Sequence, residues 1–218
     1  MKKNFIIDFD STFIKVESLD ELAKISLNNS KKDINKIEKI TKMGMEGKIS
    51  FKKSLAERIH LLKAKKKHIG ILIKYLKKNI SESFLRNKNF IKKHRNNIFI
   101  VSGGFFECIY PIVSDFGIKK SNIYANNFLF DKNENIIGLN KNNLLSNKKG
   151  KVFTVKKLNL EGKIFVIGDG YTDYEIKKAG YANSFCVFTE NIKRKNIIDK
   201  SDFLLKSLDD FMKIINDD

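Results

Sequence analysis

Four short apolar runs, separated by long helical patterns, restrict this chain to a narrow set of folds. Each run is rich in β-branched or aromatic residues and ends in Gly or polar residues, as buried parallel strands do. Strands that alternate with helices predict an α/β fold with a doubly wound, Rossmann-like parallel sheet. The runs lie at 4–8, 97–104, 163–170 and 184–188, with a weaker fifth at 202–205.

Two segments depart from this alternation. Residues 16–80 contain no good strand pattern, and the isoleucines of the string DINKIEKI recur at helical spacing. We predict that residues 16–80 form a helical cap, a helical-bundle subdomain inserted into an α/β core that consists of residues 1–15 and 81–218. The second segment, 126–142, has apolar runs on both sides of the polar string DKNEN and predicts a small β-hairpin.

The formal net charge of +18 would ordinarily suggest a nucleic acid or an acidic membrane surface as a partner. Most of the basic residues are Lys, however, and they are spread along the chain rather than clustered. Lys, Asn and Ile are all abundant and all have A/T-rich codons, so base composition alone explains the charge. We therefore expect neither a nucleic-acid partner nor a membrane partner.

The cysteine pattern bears on the compartment. Cys108 and Cys186 are isolated, and they form neither a disulfide framework nor a CxxC metal pair. Asp8 and Asp10 interrupt the first apolar stretch too early for a signal peptide, and no run approaches the roughly 18 residues that span a bilayer. We predict a soluble, cytoplasmic protein that is a monomer or a homodimer.

Chemically distinctive side chains follow each of the three strongest predicted strands. In a doubly wound sheet the carboxyl ends of neighbouring strands lie side by side, and ligands bind there. Residues from separate parts of the chain can therefore meet in one site. They are Asp8, Asp10 and Thr12 after the first strand, Ser102, Gly103 and Gly104 after the second, Lys149 before the third, and Asp169, Thr172 and Asp173 after it.

These residue types together predict a site for phosphoryl transfer. Three carboxylates, those of Asp8, Asp10 and Asp169, require a cation, and Mg²⁺ is suitable because it prefers oxygen ligands and keeps water positions open to a phosphate. The Gly residues after Ser102 let backbone N–H groups approach an anion closely. Lys149 would add a positive charge for the phosphate.

The strings DFDST, VSGGF, KG and GDGYTD resemble the four motifs of the haloacid-dehalogenase-like phosphohydrolases. The resemblance covers essentially the whole chain and is closest to the members that act on phosphoserine. Their pattern extends through DFDSTFIKVESLDELAKI, through MEGKISFKKSLAERIHLL in the helical cap and through YANNFLF. The resemblance implies Mg²⁺-dependent hydrolysis of O-phospho-L-serine.

The resemblance also implies a role for each site residue. Asp8 would be the nucleophile, and Asp10 would be the general acid and then the general base. Mg²⁺ would be held by Asp8, the backbone carbonyl of Asp10 and Asp169, with Asp173 in support. The implied phosphate ligands are Thr12, Ser102, Gly103, Lys149 and Thr172, and the implied substrate contacts in the helical cap are Glu17, Met45, Phe51 and Arg58.

Several alternatives remain open from the residues alone. Without the resemblance, Glu17 and Arg58 fit a solvated helix face or a salt bridge within the helical cap. Glu46 follows Met45 where related sequences often have a small residue, which leaves the pocket's detail open. The same chemistry could act on phosphothreonine or phosphohomoserine, or the aspartate could serve as a phosphorylation switch, and a basic nucleic-acid-binding protein is a third class.

Overall fold

The computed structural model describes residues 2–28, 30–46 and 48–217. Its strands are β1 (Lys3–Ile7), β2 (Ile98–Phe105), β3 (Ile123–Asn126), β4 (Phe128–Phe130), β5 (Ile136–Leu139), β6 (Lys163–Gly168), β7 (Ser184–Phe188) and β8 (Phe203–Leu205). Six of them form one sheet in the order β3-β2-β1-β6-β7-β8, in which every neighbouring pair is parallel. The predicted α/β fold with a parallel sheet is therefore confirmed.

Eleven α-helices of the described residues alternate with these strands along the chain or follow the last of them. They are α1 (Ser18–Ser26), α2 (Lys31–Met45), α3 (Phe51–Leu61), α4 (Lys66–Lys77), α5 (Glu82–Arg86), α6 (Lys88–His94), α7 (Phe106–Val113), α8 (Gly150–Leu158), α9 (Tyr171–Lys178), α10 (Lys195–Ile198) and α11 (Leu208–Asp217). Helices α1 to α4 all fall within the segment predicted as the helical cap. None of the helices in the described ranges combines the length and the apolar character needed to cross a membrane.

The strands of the large sheet are continuously apolar because both faces of the sheet are covered. Along β1, Phe5 and Ile7 pack into one hydrophobic cluster and Ile6 packs into another on the opposite side. A strand that is buried on both sides has no solvent-facing positions, so its sequence is continuously apolar rather than alternating. In the larger cluster the ring centroid of Phe5 lies 5.2 Å from that of Phe211, which joins α11 to the sheet.

The predicted hairpin is also confirmed. Strands β4 and β5 pair antiparallel, with Leu129 opposite Gly138, and form a separate two-stranded sheet. The hairpin contacts the helical cap through main-chain hydrogen bonds, in which Ile136 N donates to Ala64 O at 2.8 Å and Lys66 N donates to Glu134 O at 2.9 Å. Strand β3, which the sequence did not single out, has only four residues and forms the edge of the large sheet.

The chain enters and leaves the helical cap at adjacent points. Lys15 N donates to Asn79 O at 2.8 Å, and Ser81 N donates to Phe13 O at 3.0 Å. The side chain of Asn191 bonds both passages, since its Nδ2 lies 2.7 Å from Ser81 Oγ and 3.1 Å from Ser11 O. This crossing sets the helical cap directly above the carboxyl ends of β1 and β2.

Candidate active site

The two aspartates after β1 point to different partners. Asp8 Oδ1 accepts a hydrogen bond from Phe9 N at 2.7 Å, and Asp10 Oδ1 accepts one from Ser18 N at 2.9 Å. The chain turns over Phe9–Phe13, where Ser11 has a φ of 55°, and the two carboxylates therefore face different parts of the molecule. The result is one carboxylate at the sheet edge and a second carboxylate tied to the first turn of the helical cap.

Three buried carboxylates converge at this edge of the sheet. Asp8, Asp169 and Asp173 each offer an oxygen, and these three oxygens lie within 4.8 Å of one another. Oxygen donors at this spacing suit a hard divalent cation. The Asp173 carboxylate, predicted only to support the site, thus stands as close as the two predicted carboxylate ligands, whereas the Asp10 side chain is not a member of this group.

A lysine that the sequence did not single out lies between two of these carboxylates. Lys151 Nζ is 2.8 Å from Asp8 Oδ2 and 2.8 Å from Asp173 Oδ1, and its side chain is 6% exposed. Burial alone would lower the pKa of Lys151, but the two adjacent carboxylates outweigh that effect and raise it, so the ammonium group stays charged. Lys151 therefore supplies the buried positive charge of the site.

Lys149, the lysine predicted for the phosphate, has a different environment. It is exposed and has a left-handed φ of 57° immediately before α8 begins at Gly150. It lines a wide cavity beside the acidic cluster, together with Lys48, Phe51 and Thr172. The sequence signal for Lys151 was the same KGK string, but only the start of α8 decides which lysine turns inward.

Arg194 is a second residue that sequence reasoning missed. Its Nε donates to Asp169 Oδ2 at 2.9 Å, and one terminal nitrogen lies 3.7 Å from Glu17 Oε1. Burial raises the pKa of Asp169 to about 6 even though Arg194 lowers it. The surrounding string NIKRKN resembles a solvated basic loop, and the sequence therefore carried no signal for this contact.

Two glycines at the carboxyl end of β2 leave open space beside Asp10 and the helical cap. Gly104 N donates to Ser102 Oγ at 3.0 Å, and a Cβ at Gly104 would lie 3.1 Å from Asp10 Oδ2. A Cβ at Gly103 would overlap the ring of Phe51, so the helical cap lies directly against this end of β2. Side chains at either position would fill the space that an anion needs to reach the backbone.

One small cavity joins the core residues to the helical cap. All of the residues predicted for catalysis and substrate contact line it, and Lys151, which was not predicted, lines it as well. The lining residues are Asp8, Asp10, Glu17, Leu19, Met45, Phe51, Arg58, Ser102, Gly103, Gly104, Lys151 and Thr172. Thr12, predicted to contact phosphate, is instead buried beneath this cavity, where its hydroxyl donates to Asp169 Oδ1 at 3.3 Å.

The helical cap contributes opposite charges to this cavity. Arg58 is 3% exposed and donates to Thr41 Oγ1 at 3.2 Å, and Glu17 accepts a hydrogen bond from Ser11 Oγ at 2.7 Å. A solvated helix face, one of the two alternatives for these residues, does not describe a buried Arg58 and a partly buried Glu17. The other alternative, a salt bridge within the helical cap, stays open. Buried charges of opposite sign are suited to a zwitterionic ligand.

The environment of Asp10 favours its protonated form. Burial raises the pKa of this carboxyl well above its usual range, and the nearby Glu17 carboxylate raises it further. Such a carboxyl can hold a proton near neutral pH and release it to a leaving group. The site thus combines a carboxylate beside a lysine, a carboxyl whose pKa is raised, two glycines at the end of β2 and three convergent carboxylate oxygens.

Comparison with known proteins places the chain among phosphatases. It is 30% identical to a phosphoserine phosphatase of Methanocaldococcus jannaschii over 85% of this chain and 86% of that protein. It is also 30% identical to the chloroplastic phosphoserine phosphatase of Arabidopsis thaliana, over 91% of this chain and 66% of that protein. No family model matches the chain.

A solved structure gives the same result for the fold. The crystal structure of a phosphoserine phosphohydrolase-like protein from Francisella tularensis matches with a TM-score of 0.89 and 32% identity, over 98% of this chain and 100% of that one. The fold of nearly the whole chain is therefore shared with this structure.

Proposed function

Because the chain belongs to the phosphoserine phosphatase family, we propose that it hydrolyses O-phospho-L-serine to L-serine and phosphate, the last step of serine synthesis. The observation that carries this proposal is the shared cavity, in which Asp8 and Asp10 of the core face Glu17 and Arg58 of the helical cap. The core residues suit a phosphate, and the cap residues suit the two charged ends of an amino acid.

The first step uses Asp8 as the nucleophile. A carboxylate oxygen of Asp8 attacks phosphorus, the bond from phosphorus to the serine oxygen breaks, and Asp10 gives its proton to the departing oxygen. Lys151 lowers the repulsion between the Asp8 carboxylate and the phosphate, and the Ser102–Gly103 backbone binds the phosphate oxygens. The products are serine and an aspartyl-phosphate at Asp8.

The second step reverses the role of Asp10. The carboxylate that has lost its proton accepts one from a water molecule, and the oxygen of that water attacks the aspartyl-phosphate. The bond between phosphorus and the Asp8 oxygen breaks, so that free phosphate forms and the Asp8 carboxylate is restored. Asp10 can fill both roles because its side chain is bonded to Ser18 N and is not one of the three carboxylates that would hold the metal.

A divalent cation, for which we propose Mg²⁺, would be held by Asp8, Asp169 and Asp173, and the backbone carbonyl of Asp10 remains a proposed further ligand. Bound there, it supplies positive charge that offsets the negative charge of the phosphate. The three convergent carboxylate oxygens support a hard cation at this position. Lys151 balances only part of the charge of the cluster.

Substrate selection is proposed to come from the helical cap, residues 16–80. Glu17 would bind the ammonium group and Arg58 the carboxylate of the amino acid, while Met45 and Phe51 wall the space beside them. The contact of Phe51 with Gly103 supports a cap that excludes water while the aspartyl-phosphate forms. We propose a cytoplasmic location, which agrees with the two free cysteines.

A substrate panel tests this function. Phosphate release is measured with Mg²⁺ on O-phospho-L-serine, O-phospho-L-threonine and O-phospho-L-homoserine for the native protein, Asp8→Asn and Arg58→Ala. We expect the native protein to have its highest kcat/KM on phosphoserine and Asp8→Asn to show no turnover. In Arg58→Ala, the loss of kcat/KM should be larger for the phosphorylated amino acids than for p-nitrophenyl phosphate.

Other outcomes would replace the proposal. Turnover that persists in Asp8→Asn would exclude the nucleophile, and a preference for another compound in the panel would change the substrate. A long-lived aspartyl-phosphate with negligible phosphate release would indicate a phosphorylation switch instead.

A further inference from the structure

We propose that Arg194 is a built-in counterion of Asp169 that the catalytic metal displaces, so that metal binding exchanges one cation for another. The inference rests on the metal site proposed above. It adds a residue that the core chemistry does not use, and it predicts that this chain holds its acidic cluster together before a metal arrives.

The contacts of Arg194 are those of a specific ion pair. Its Nε lies 2.9 Å from Asp169 Oδ2, and its side chain is 10% exposed while that of Asp169 is 3% exposed. At this burial the attraction between the two charges is only weakly screened by solvent. Arg194 thus occupies an oxygen of the same carboxylate that stands within 4.8 Å of the Asp8 and Asp173 oxygens.

A metal ion and the Arg194 guanidinium compete for the negative charge of the Asp169 carboxylate. Asp169 Oδ1 already accepts the Thr12 hydroxyl at 3.3 Å, and Oδ2 accepts from Arg194. A divalent cation bound to Asp169 repels a guanidinium at hydrogen-bond distance from the same carboxylate. Removing Arg194 should therefore strengthen metal binding, whereas removing an ordinary supporting residue should weaken it.

The surroundings of Arg194 carry charges of both signs. Arg194 lines an open cavity together with Glu46 and four lysines, and Glu46 is already paired with Lys48 Nζ at 2.7 Å. A terminal nitrogen of Arg194 is already 3.7 Å from Glu17 Oε1, a carboxylate of the helical cap. The guanidinium therefore already has a second carboxylate nearby, at Glu17.

The test measures binding of Mg²⁺ alone to protein freed of metal with EDTA, by isothermal titration calorimetry. We expect Arg194→Gln to bind Mg²⁺ about tenfold more tightly than the native protein, which is the effect of removing one nearby unit charge of the same sign as the metal from a partly shielded site. Thermal unfolding is recorded alongside, with and without Mg²⁺. The melting temperature of the variant should fall without metal and recover when Mg²⁺ is present.

Two matched variants make the result specific. Lys195→Gln removes a cation from the lining of the same cavity without removing the contact to Asp169, so its Mg²⁺ affinity should stay within about twofold of the native value. Arg194→Lys keeps the charge but replaces the guanidinium contact, so its affinity should lie between those of the native protein and Arg194→Gln.

Three results would overturn the inference. Equal or weaker Mg²⁺ binding in Arg194→Gln would show that Arg194 supports the metal site rather than competing for it. An equal gain in Lys195→Gln would reduce the effect to general surface charge. If the native protein does not bind Mg²⁺, the proposed metal site is wrong and the inference falls with it. The proposed function is tested separately, by phosphate release from phosphoserine in the panel above.

Discussion

The ring of Phe51, at the start of α3 in the helical cap, lies so close to Gly103 in the core that a Cβ at Gly103 would overlap its Cζ atom. The position of α3 is fixed locally, since Ser50 Oγ accepts the N-terminal hydrogen bond of Lys53 at 3.3 Å. This contact joins a residue proposed to wall the substrate pocket to a residue proposed to bind the phosphate. It follows that the fit between cap and core depends on the missing side chain of Gly103.

Gly103→Ala should therefore impair activity by forcing the helical cap away from the core. The added methyl group occupies the place of the Phe51 ring, and overpacking of this kind costs about 1–3 kcal/mol. We expect kcat/KM for phosphoserine to fall about tenfold or more. The measurement is steady-state phosphate release.

A double-mutant cycle with Phe51→Ala isolates this clash. In a Phe51→Ala background the methyl group has room, so Gly103→Ala should cost much less than in the native background. An equal cost in both backgrounds would mean that the methyl group blocks the phosphate directly, and the contact with Phe51 would then have no part in the effect.

The two lysines at the start of α8 give the second prediction. Lys151→Met should reduce kcat about a hundredfold or more, because Asp8, the proposed nucleophile, loses the positive charge 2.8 Å away. It should also lower the free energy of unfolding by about 3 kcal/mol, since Asp8 and Asp173 are left as unpaired buried carboxylates. Phosphate release and urea unfolding measure these two effects.

Lys149→Met is the matched control, since it removes an exposed lysine from the same KGK string. We expect its kcat to stay within about threefold of the native value and its stability to be unchanged. If Lys149→Met shows the larger loss of kcat, the phosphate ligand implied by the sequence motif is correct and Lys151 serves mainly to hold the cluster together.

This pair of lysines shows where prediction from the sequence ends. The strand ends carry Asp8, Ser102 and Asp169 in local motifs, and a parallel sheet necessarily brings such ends together, so their convergence was predictable. Which lysine turns inward depends on the residue at which α8 begins. That start depends on close packing of Gly150 against the backbone of Leu144 and Leu145, a contact that no local pattern encodes.

Arg194 and the crossing of the chain below the helical cap illustrate the second limit. Their contacts join residues that are far apart in the sequence, such as Arg194 with Asp169 and Asn191 with Ser11. In the sequence both residues belong to a basic, polar loop, whose composition is typical of solvent exposure. Only the order of strands in the sheet brings this loop under the start of the helical cap.

Asn191→Ala should destabilise that crossing. The Asn191 amide donates to carbonyls on the passage into the helical cap and to Ser81 Oγ at 2.7 Å on the passage out. Losing these bonds leaves partly buried acceptors unsatisfied, at a cost of about 1–3 kcal/mol. We expect urea unfolding to show this loss, and KM for phosphoserine to rise as the helical cap closes less firmly.

Asn87→Ala serves as the control for this prediction. The Asn87 amide also bonds a main-chain oxygen, Ser83 O at 2.9 Å, and its other bond, at 2.7 Å, is to Asp209 Oδ1 rather than to the chain entering the helical cap. It should lose stability without a change in KM. If both variants change KM equally, the effect of Asn191 is one of global stability rather than of cap closure.

The buried thiol of Cys186 predicts how stability depends on alkaline pH. Burial raises the pKa of Cys186 to about 12, with a smaller contribution from Asp202, whereas an unfolded thiol ionises near 8.5. Between these values the unfolded chain loses the proton that the native protein keeps. Native stability from this thiol is therefore fully present below pH 8.5 and falls as the pH rises toward 12.

From pH 7.5 to pH 9.5 this linkage should remove about 1.4 kcal/mol of unfolding free energy per buried thiol. Urea unfolding at the two pH values measures the change. Between pH 7.5 and pH 9.5, the unfolding free energy of Cys186→Ala should fall by about 1.4 kcal/mol less than that of the native protein, whatever its stability at pH 7.5. Cys108, whose pKa burial also raises, should behave in the same way when replaced by Ala. A fall that is the same in all three proteins would assign the alkaline loss to the lysines instead, since these lose their charge at higher pH.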